Sequence, residues 1–257
     1  MIDIHCHILP GVDDGAKSWE TAVQMCRMAW DDGIRHIVAT PHANNRFRYE
    51  RATFTRILKR LSHQIGGRPE LSLGCDFHFS YDNYLALMNQ PSEFTIGHTQ
   101  YVLIEFDDYS LPASLSNNLQ QLRLKGLVPI ITHPERNLLL KNDLSRVLEW
   151  CQIGCLVQVT ADSLLGKWGT AAKAGVEWLL KRNAVHVIAS DAHDTESRTP
   201  ILSQAREQAA IWAGRDLAQA LVDANPLNIV RGQLISGSPV SEPLPSPRHT
   251  RAQGSFV

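Results

Sequence analysis

The chain opens with two histidines two positions apart, in Asp3-Ile4-His5-Cys6-His7. Ile2, Ile4, Cys6 and Ile8 alternate with Asp3, His5 and His7, which is the period of a β-strand. Side chains two apart on a strand share a face, so His5 and His7 project together from an otherwise apolar strand. Each imidazole carries polar nitrogens that need partners once buried, and one metal ion can serve both. The glycine-bracketed turn that follows adds Asp13 and Asp14, either of which could join them. The same residue types recur at the ends of later apolar runs: His42, Asp76, Glu105, His133, Asp191 and His193. Each has an ordinary reading by itself, such as a buried ion pair for Glu105, a helix N-cap for Asp76 or a surface loop for His42. Together they are too many nitrogen and oxygen donors for one ion. Carboxylates bridge ions, so two or three divalent metals are expected. Mixed oxygen and imidazole donors without a thiolate set suit manganese, iron or zinc rather than a cysteine-bound structural zinc.

Seven short apolar strands are predicted, around residues 2–8, 34–39, 71–73, 101–106, 128–132, 155–159 and 185–189, and all but the sixth deliver these groups. Helical spacing of apolar residues predicts helices over 18–30, with Ser18 as N-cap, and over 54–65, 115–125, 144–152, 171–181, 201–213 and 217–224. Strands apolar on both faces and alternating with helices belong to parallel sheets covered on both sides. An open sheet would scatter the donors along an edge, whereas a (β/α) barrel converges its strand ends on one mouth. The expected fold is therefore α/β, a (β/α) barrel one strand short of the usual eight.

With 257 residues, a formal net charge of −1 and 44% hydrophobic residues, the chain has the material for one large domain and no basic field for binding nucleic acid. No apolar run approaches the roughly 18 residues needed to span a bilayer, and no signal peptide is expected at the N-terminus. Five cysteines without framework spacing fit a reducing cytoplasm. Residues 1–236 are read as the globular part. Residues 237–257, rich in Ser, Pro, Arg and His, are expected to form a disordered tail.

Asp3-Ile-His-Cys-His7, Ala39-Thr-Pro-His42, Ile131-Thr-His-Pro-Glu-Arg136 and Ser190-Asp-Ala-His193 resemble the motifs of the PHP (polymerase and histidinol phosphatase) superfamily. More narrowly, His7-Ile-Leu-Pro-Gly-Val-Asp-Asp-Gly15 and Thr132-His-Pro-Glu-Arg-Asn137 resemble its bacterial capsule and exopolysaccharide tyrosine-protein phosphatases. The resemblance runs in order from Met1 to about Gly232. It implies a distorted seven-stranded, TIM-like (β/α) barrel, the PHP fold, and a trinuclear, usually manganese-dependent site. One ion would take His5, His7, Asp76 and Asp191. A second would take Asp76, Glu105 and His133, and a third Asp14, His42 and His193, with Asp13 as the alternative to Asp14. The family usually has glutamate where this chain has Asp76, one methylene shorter.

Clustered divalent ions lower the pKa of bound water and stabilise charge on a phosphoryl group, so the expected reaction is attack of a metal-held hydroxide on phosphorus. Arg136 and Arg198, three and five residues after His133 and His193, are placed on mouth loops where a planar guanidinium can grip phosphate. The implied substrate is a phosphotyrosine protein, the tail of a bacterial tyrosine kinase controlling polysaccharide synthesis. A small-molecule phosphomonoesterase of histidinol-phosphatase type is the alternative, and a metal-stabilised binding module without turnover is another. A cysteine phosphatase needs arginine six positions after its cysteine. Those positions hold Val12, Asp32, Tyr81, Val157 and Ala161. His78 stands close enough to Asp76 to belong to the mouth.

Overall fold

The computed structural model describes residues 1–235, so the expected tail lies outside the described residues. Nine strands form within them: β1 (Ile2–Cys6), β2 (His36–Ala39), β3 (His42–Ala43), β4 (Glu70–Leu73), β5 (Asp76–His78), β6 (Tyr101–Glu105), β7 (Val128–Thr132), β8 (Leu156–Thr160) and β9 (Val187–Ala189). They make two sheets, β1-β2-β4 and β3-β5-β6-β7-β8-β9, and every paired strand runs parallel.

Nine strands stand where seven were expected, because the chain resumes a short strand beyond two of the predicted ones, β3 after β2 and β5 after β4. Pro41, which has no N–H to give the ladder, separates β2 from β3. Gly74 and Cys75 separate β4 from β5. A Cβ on Gly74 would stand 3.0 Å from Val38 Cγ1, so glycine permits the close approach there. Hydrogen bonds carry the chain across both breaks, from Thr40 N to Cys6 O, Gly74 N to Ala39 O and Asp76 N to Pro41 O. The last strand also meets the first: Cys6 bridges Ala192 in parallel, His7 N donates to Ala192 O and Asp191 N to His5 O, each over 2.8 Å.

Among the described residues ten α-helices accompany the strands: α1 (Trp19–Asp31), α2 (Arg51–Gln64), α3 (Tyr81–Asn89), α4 (Leu115–Leu124), α5 (Ser145–Gln152), α6 (Ala161–Leu164), α7 (Gly169–Leu180), α8 (Ser203–Ala213), α9 (Arg215–Val222) and α10 (Ala224–Val230). Ser18 caps α1 as predicted, its Oγ accepting from Thr21 N at 3.1 Å. Their apolar faces pack on the sheets in a large core that includes Met25, Leu61, Leu119, Trp150 and Leu179. A second cluster, with Ile4, Tyr101, Leu103, Ile130, Leu156 and Val187, is closed by Ile229 of α10. Glu105 and Gln158 follow Leu103 and Leu156 by two positions on β6 and β8. They therefore continue the same faces, and apolar packing gives way to donors above it. None of the described helices is long and apolar enough to cross a membrane.

Candidate metal centre

Most predicted donors lie at or just beyond the C-terminal ends of strands, while His42 and Asp76 open the short β3 and β5 and Asp14 comes from the turn after β1; the backbone register explains who meets whom. His42 pairs directly with Asp76 across β3 and β5, and His78 pairs with Glu105 across β5 and β6. His133 and Asp191 lie in the left-handed region, at φ 33° and 53°, a conformation that costs a residue other than glycine on the order of 1 kcal/mol. The strain sits where two strands turn their last side chains into the centre.

Three groups of donor atoms lie within 4.8 Å of one another: His7, Asp14, His42 and His193; His5, His7 and Asp76; and His42, Asp76 and Glu105. Asp76 Oδ2 stands 3.1 Å from His42 Nδ1 and 3.5 Å from His5 Nε2, so one carboxylate belongs to two groups despite its short arm. Asp191 Oδ1 is 3.4 Å from His5 Nε2 and 3.5 Å from His7 Nε2. His133 Nε2 is 3.7 Å from Glu105 Oε1. These positions join the donors differently from the grouping the resemblance implies. His7 stands with the Asp14 group, and His42 rather than His133 makes the tight set with Asp76 and Glu105. Asp14 Oδ1 faces His42 Nε2 and His193 Nε2 at 3.4 and 3.6 Å, whereas Asp13 turns back to His7.

The orientation of the imidazoles follows from the hydrogen bonds behind them. His5 Nδ1 lies 2.8 Å from Gln158 Oε1, His7 Nδ1 2.8 Å from Asp13 Oδ2, and His193 Nδ1 2.9 Å from the carbonyl of Asp191. Each partner is an acceptor, so each Nδ1 carries the proton and each Nε2 presents a lone pair to the centre. Yet His5 Nε2 and His7 Nε2 are only 3.2 Å apart. At that distance either one ring carries a second proton and donates it to the other, or a metal ion lies between two lone pairs. Both oxygens of buried Asp76, and His42 Nδ1 beside them, have no hydrogen-bond partner among the described residues. This donor set, with its unsatisfied atoms aimed at common points, fits divalent metal ions.

Charge points the same way. Burial lowers the basicity of His5, but the carboxylates of Asp76 and Asp191 outweigh it and raise its pKa to about 9. His42 is likewise depressed by burial and lifted by Asp14 and Asp76, to about 11. Asp76, disfavoured by burial, is held well below the usual carboxylate range by His5 and His42. The centre is thus an anionic hole that must be filled by protons or by metal ions, and a divalent ion displaces the protons from its ligands.

Arg136 and Arg198 arrive from the loops after β7 and β9. Arg136 Nη1 and Arg198 Nη2 both donate to Asp191 Oδ2, at 2.5 and 2.6 Å. On one side a cleft of about 510 Å³ runs from Glu105 and His133 past Arg136 to Tyr109, Leu138 and Trp168. On the other, a cavity of about 430 Å³ is lined by Asp14, Lys17, His193 and Arg198. His78 does reach the mouth, with Nδ1 3.5 Å from Glu105 Oε2, and Glu105 raises its pKa.

Sequence reasoning missed Gln158, the partner of His5, although a polar residue inside an apolar strand was the very signal that singled out Glu105. It also missed the orienting role of Asp13 and passed over Trp168. All five cysteines are buried, and burial pushes their thiols upward, with Cys26 and Cys151 at about 12. A buried, protonated thiol is a poor nucleophile.

Residues 1–231 match the model of a family described as capsular polysaccharide synthesis, CpsB/CapC. The tyrosine-protein phosphatase YwqE of Bacillus subtilis is 33% identical over 206 residues, 77% of this chain and 79% of its own. The tyrosine-protein phosphatase CpsB of Streptococcus pneumoniae is 29% identical over 91% of this chain and all of its own length. A crystal structure from work on these two proteins, described as unique metal-dependent tyrosine phosphatases, superposes with a TM-score of 0.87 at 32% identity, covering 95% of this chain and 99% of the other. A β-aspartyl dipeptidase from Fervidobacterium islandicum, 13% identical with a TM-score of 0.57, shares the fold alone. The chain belongs to the CpsB/CapC family of capsular polysaccharide synthesis.

Proposed function

We propose that this protein is a metal-dependent phosphotyrosine-protein phosphatase, whose substrate is the phosphorylated tail of a tyrosine kinase controlling capsule or exopolysaccharide synthesis in the cytoplasm. The observation that carries the reading is the 3.2 Å approach of His5 Nε2 to His7 Nε2, beside Asp76 oxygens that accept no hydrogen bond and near the two arginines bonded to Asp191. The likeness to YwqE and CpsB supports the substrate class. We count the nine strands as seven positions of a distorted barrel, with β2–β3 and β4–β5 each one interrupted strand, and the β9–β1 bridge as its closure.

Three overlapping donor groups suggest three ions, manganese by family resemblance. His5, His7, Asp76 and Asp191 would hold one. Asp76 and Glu105, with His133 nearby, would hold a second. Asp14, His42 and His193 would hold a third, since the one free lone pair of His7 serves the first. Bound ions would lower the pKa of water and neutralise charge on the phosphoryl group. The chain's own residues do the rest. Arg136 and Arg198 still have free N–H groups after bonding Asp191, and a phosphate can accept these in a fork. Gln158, Asp13 and the Asp191 carbonyl keep three imidazoles in one tautomer. The leaving phenolate, whose acid has a pKa of about 10, needs less proton help than an alkoxide.

The test is phosphate release from a phosphotyrosine peptide by metal-stripped protein titrated with Mn²⁺, Zn²⁺ and Mg²⁺. Metal-dependent release that survives thiol alkylation is expected. Silence with every metal, while a phosphorylated metabolite is hydrolysed, would move the assignment to a small-molecule phosphomonoesterase.

A further inference from the structure

β8 sends no predicted metal donor to the mouth, but the loop after it carries Trp168, an indole left 42% exposed. The turn that carries it is held by its own hydrogen bonds and an ion pair. Lys167 N donates to Asp162 O over 2.9 Å and Gly169 N to Gly166 O over 3.0 Å. Lys167 Nζ also pairs with Asp162 Oδ1 at 2.9 Å. Gly166 and Gly169 supply the positive φ angles, 83° and 89°, that such a tight turn requires. The turn grows directly from the short helix α6 and so from the strand beneath it.

The indole meets the arginines. Arg136 Cζ lies 3.8 Å over the centre of the Trp168 ring, and Arg198 Cζ 5.6 Å from it. A guanidinium is planar and weakly hydrated, and it stacks well on an aromatic face. The two loops are also tied from below, because Glu135, next to Arg136, accepts from Thr160 N and Thr160 Oγ1 at 3.0 and 3.1 Å. Asp191 alone would fix one N–H of each arginine and leave the plane of the fork free to rotate. A ring face 3.8 Å from Arg136 Cζ can fix that plane.

We infer that Trp168 is the positioning residue of this site, holding the guanidinium of Arg136, and more loosely that of Arg198, in the plane that receives the phosphate of the substrate. It acts through the arginines and leaves the metal donors alone. The inference rests on the phosphatase reading for its substrate but not for its anion, so inorganic phosphate is the probe.

Inorganic phosphate is titrated calorimetrically into metal-loaded wild-type, Trp168→Ala, Trp168→Phe and Trp168→Leu protein, with bound metal measured on each. Trp168→Ala is expected to weaken phosphate about three- to tenfold, and to raise KM for a phosphotyrosine peptide by a similar factor, with metal content unchanged. Trp168→Phe should regain most of the loss because it restores a ring face, and Trp168→Leu should not. Unchanged phosphate affinity in Trp168→Ala would overturn the inference. So would an equal loss of bound metal, or leucine serving as well as phenylalanine. A wild type that binds phosphate but releases none from the peptide would refute the phosphatase reading and leave this inference to be decided by the phosphate affinities.

Discussion

His7 Nδ1–H donates a hydrogen bond to Asp13 Oδ2 across 2.8 Å, and that bond decides which ring nitrogen looks into the centre. The same carboxylate accepts from Gly15 N at 3.0 Å and His42 N at 3.2 Å, so it also fixes the turn behind the site. Losing such an orienting partner typically costs 10–100-fold in metal affinity. Asp13→Asn is therefore expected to weaken metal binding by about that factor, with turnover restored at high metal concentration. Asp14→Ala removes a candidate donor, and excess metal should not restore it. Metal titrations of activity on both variants check the contrast.

Stripping the metal should destabilise the fold. Binding only to the folded state contributes about 2.7 kcal/mol per ion at 100 times its Kd. A domain of this size shifts by about 2–4 °C per kcal/mol. A chelator is thus expected to lower Tm by about 5–10 °C for each ion lost. Calorimetry in chelator and in Mn²⁺ measures this; equal Tm values would show that the buried donors are satisfied without metal.

Gly15 has no room for a side chain. A Cβ there would stand 2.1 Å from the carbonyl oxygen of His7 and 2.5 Å from its Cβ. The obstacle is backbone, so the turn must move and take Asp13 and Asp14 with it. Gly15→Ala should cost about 1–3 kcal/mol and reduce bound metal as well. Urea unfolding and metal analysis of the purified variant read both effects.

His186 lies away from the centre and supplies a stability switch in acid. Burial lowers its pKa to about 4, and its Nδ1 accepts from Val157 N at 3.1 Å. An unfolded histidine titrates near 6.5, so between these values the unfolded chain binds more protons and stability falls as pH falls. The loss between pH 7 and pH 5 is about 2 kcal/mol. His186→Gln, whose side-chain oxygen can still accept from Val157, should be less sensitive to pH by that amount. Denaturant unfolding of both proteins in chelator at the two pH values isolates the difference.

Much of the site was legible because its donors interrupt apolar runs, and an ionisable group in such a place stands out without any partner in view. β7 has the predicted bounds, residues 128–132, since five apolar or β-branched residues run between two glycine- and proline-marked turns. β3 and β5, with 2 and 3 residues, are too short for any periodicity to register. α3 was missed because its apolar face is weak, with Leu87 alone buried. The choice between Asp13 and Asp14 depends on which way a turn rotates, and spacing carries no such information. Gln158 meets His5 across 153 positions, and Trp168 meets Arg136 in space only. The grouping of His42 with Asp76 likewise became visible only once β3 and β5 were seen side by side.

The parallel bridge between Cys6 and Ala192 has a consequence for the life of the chain. Asp3 and Ser190, bonded across this seam, are 187 positions apart, and the candidate donors are divided between its two sides. A ribosome that has released only the first half of the protein has released an incomplete set. Long-range closure of this kind is entropically slow. Full loading must therefore follow synthesis of nearly the whole described chain, and truncated or nicked copies should emerge without a complete centre.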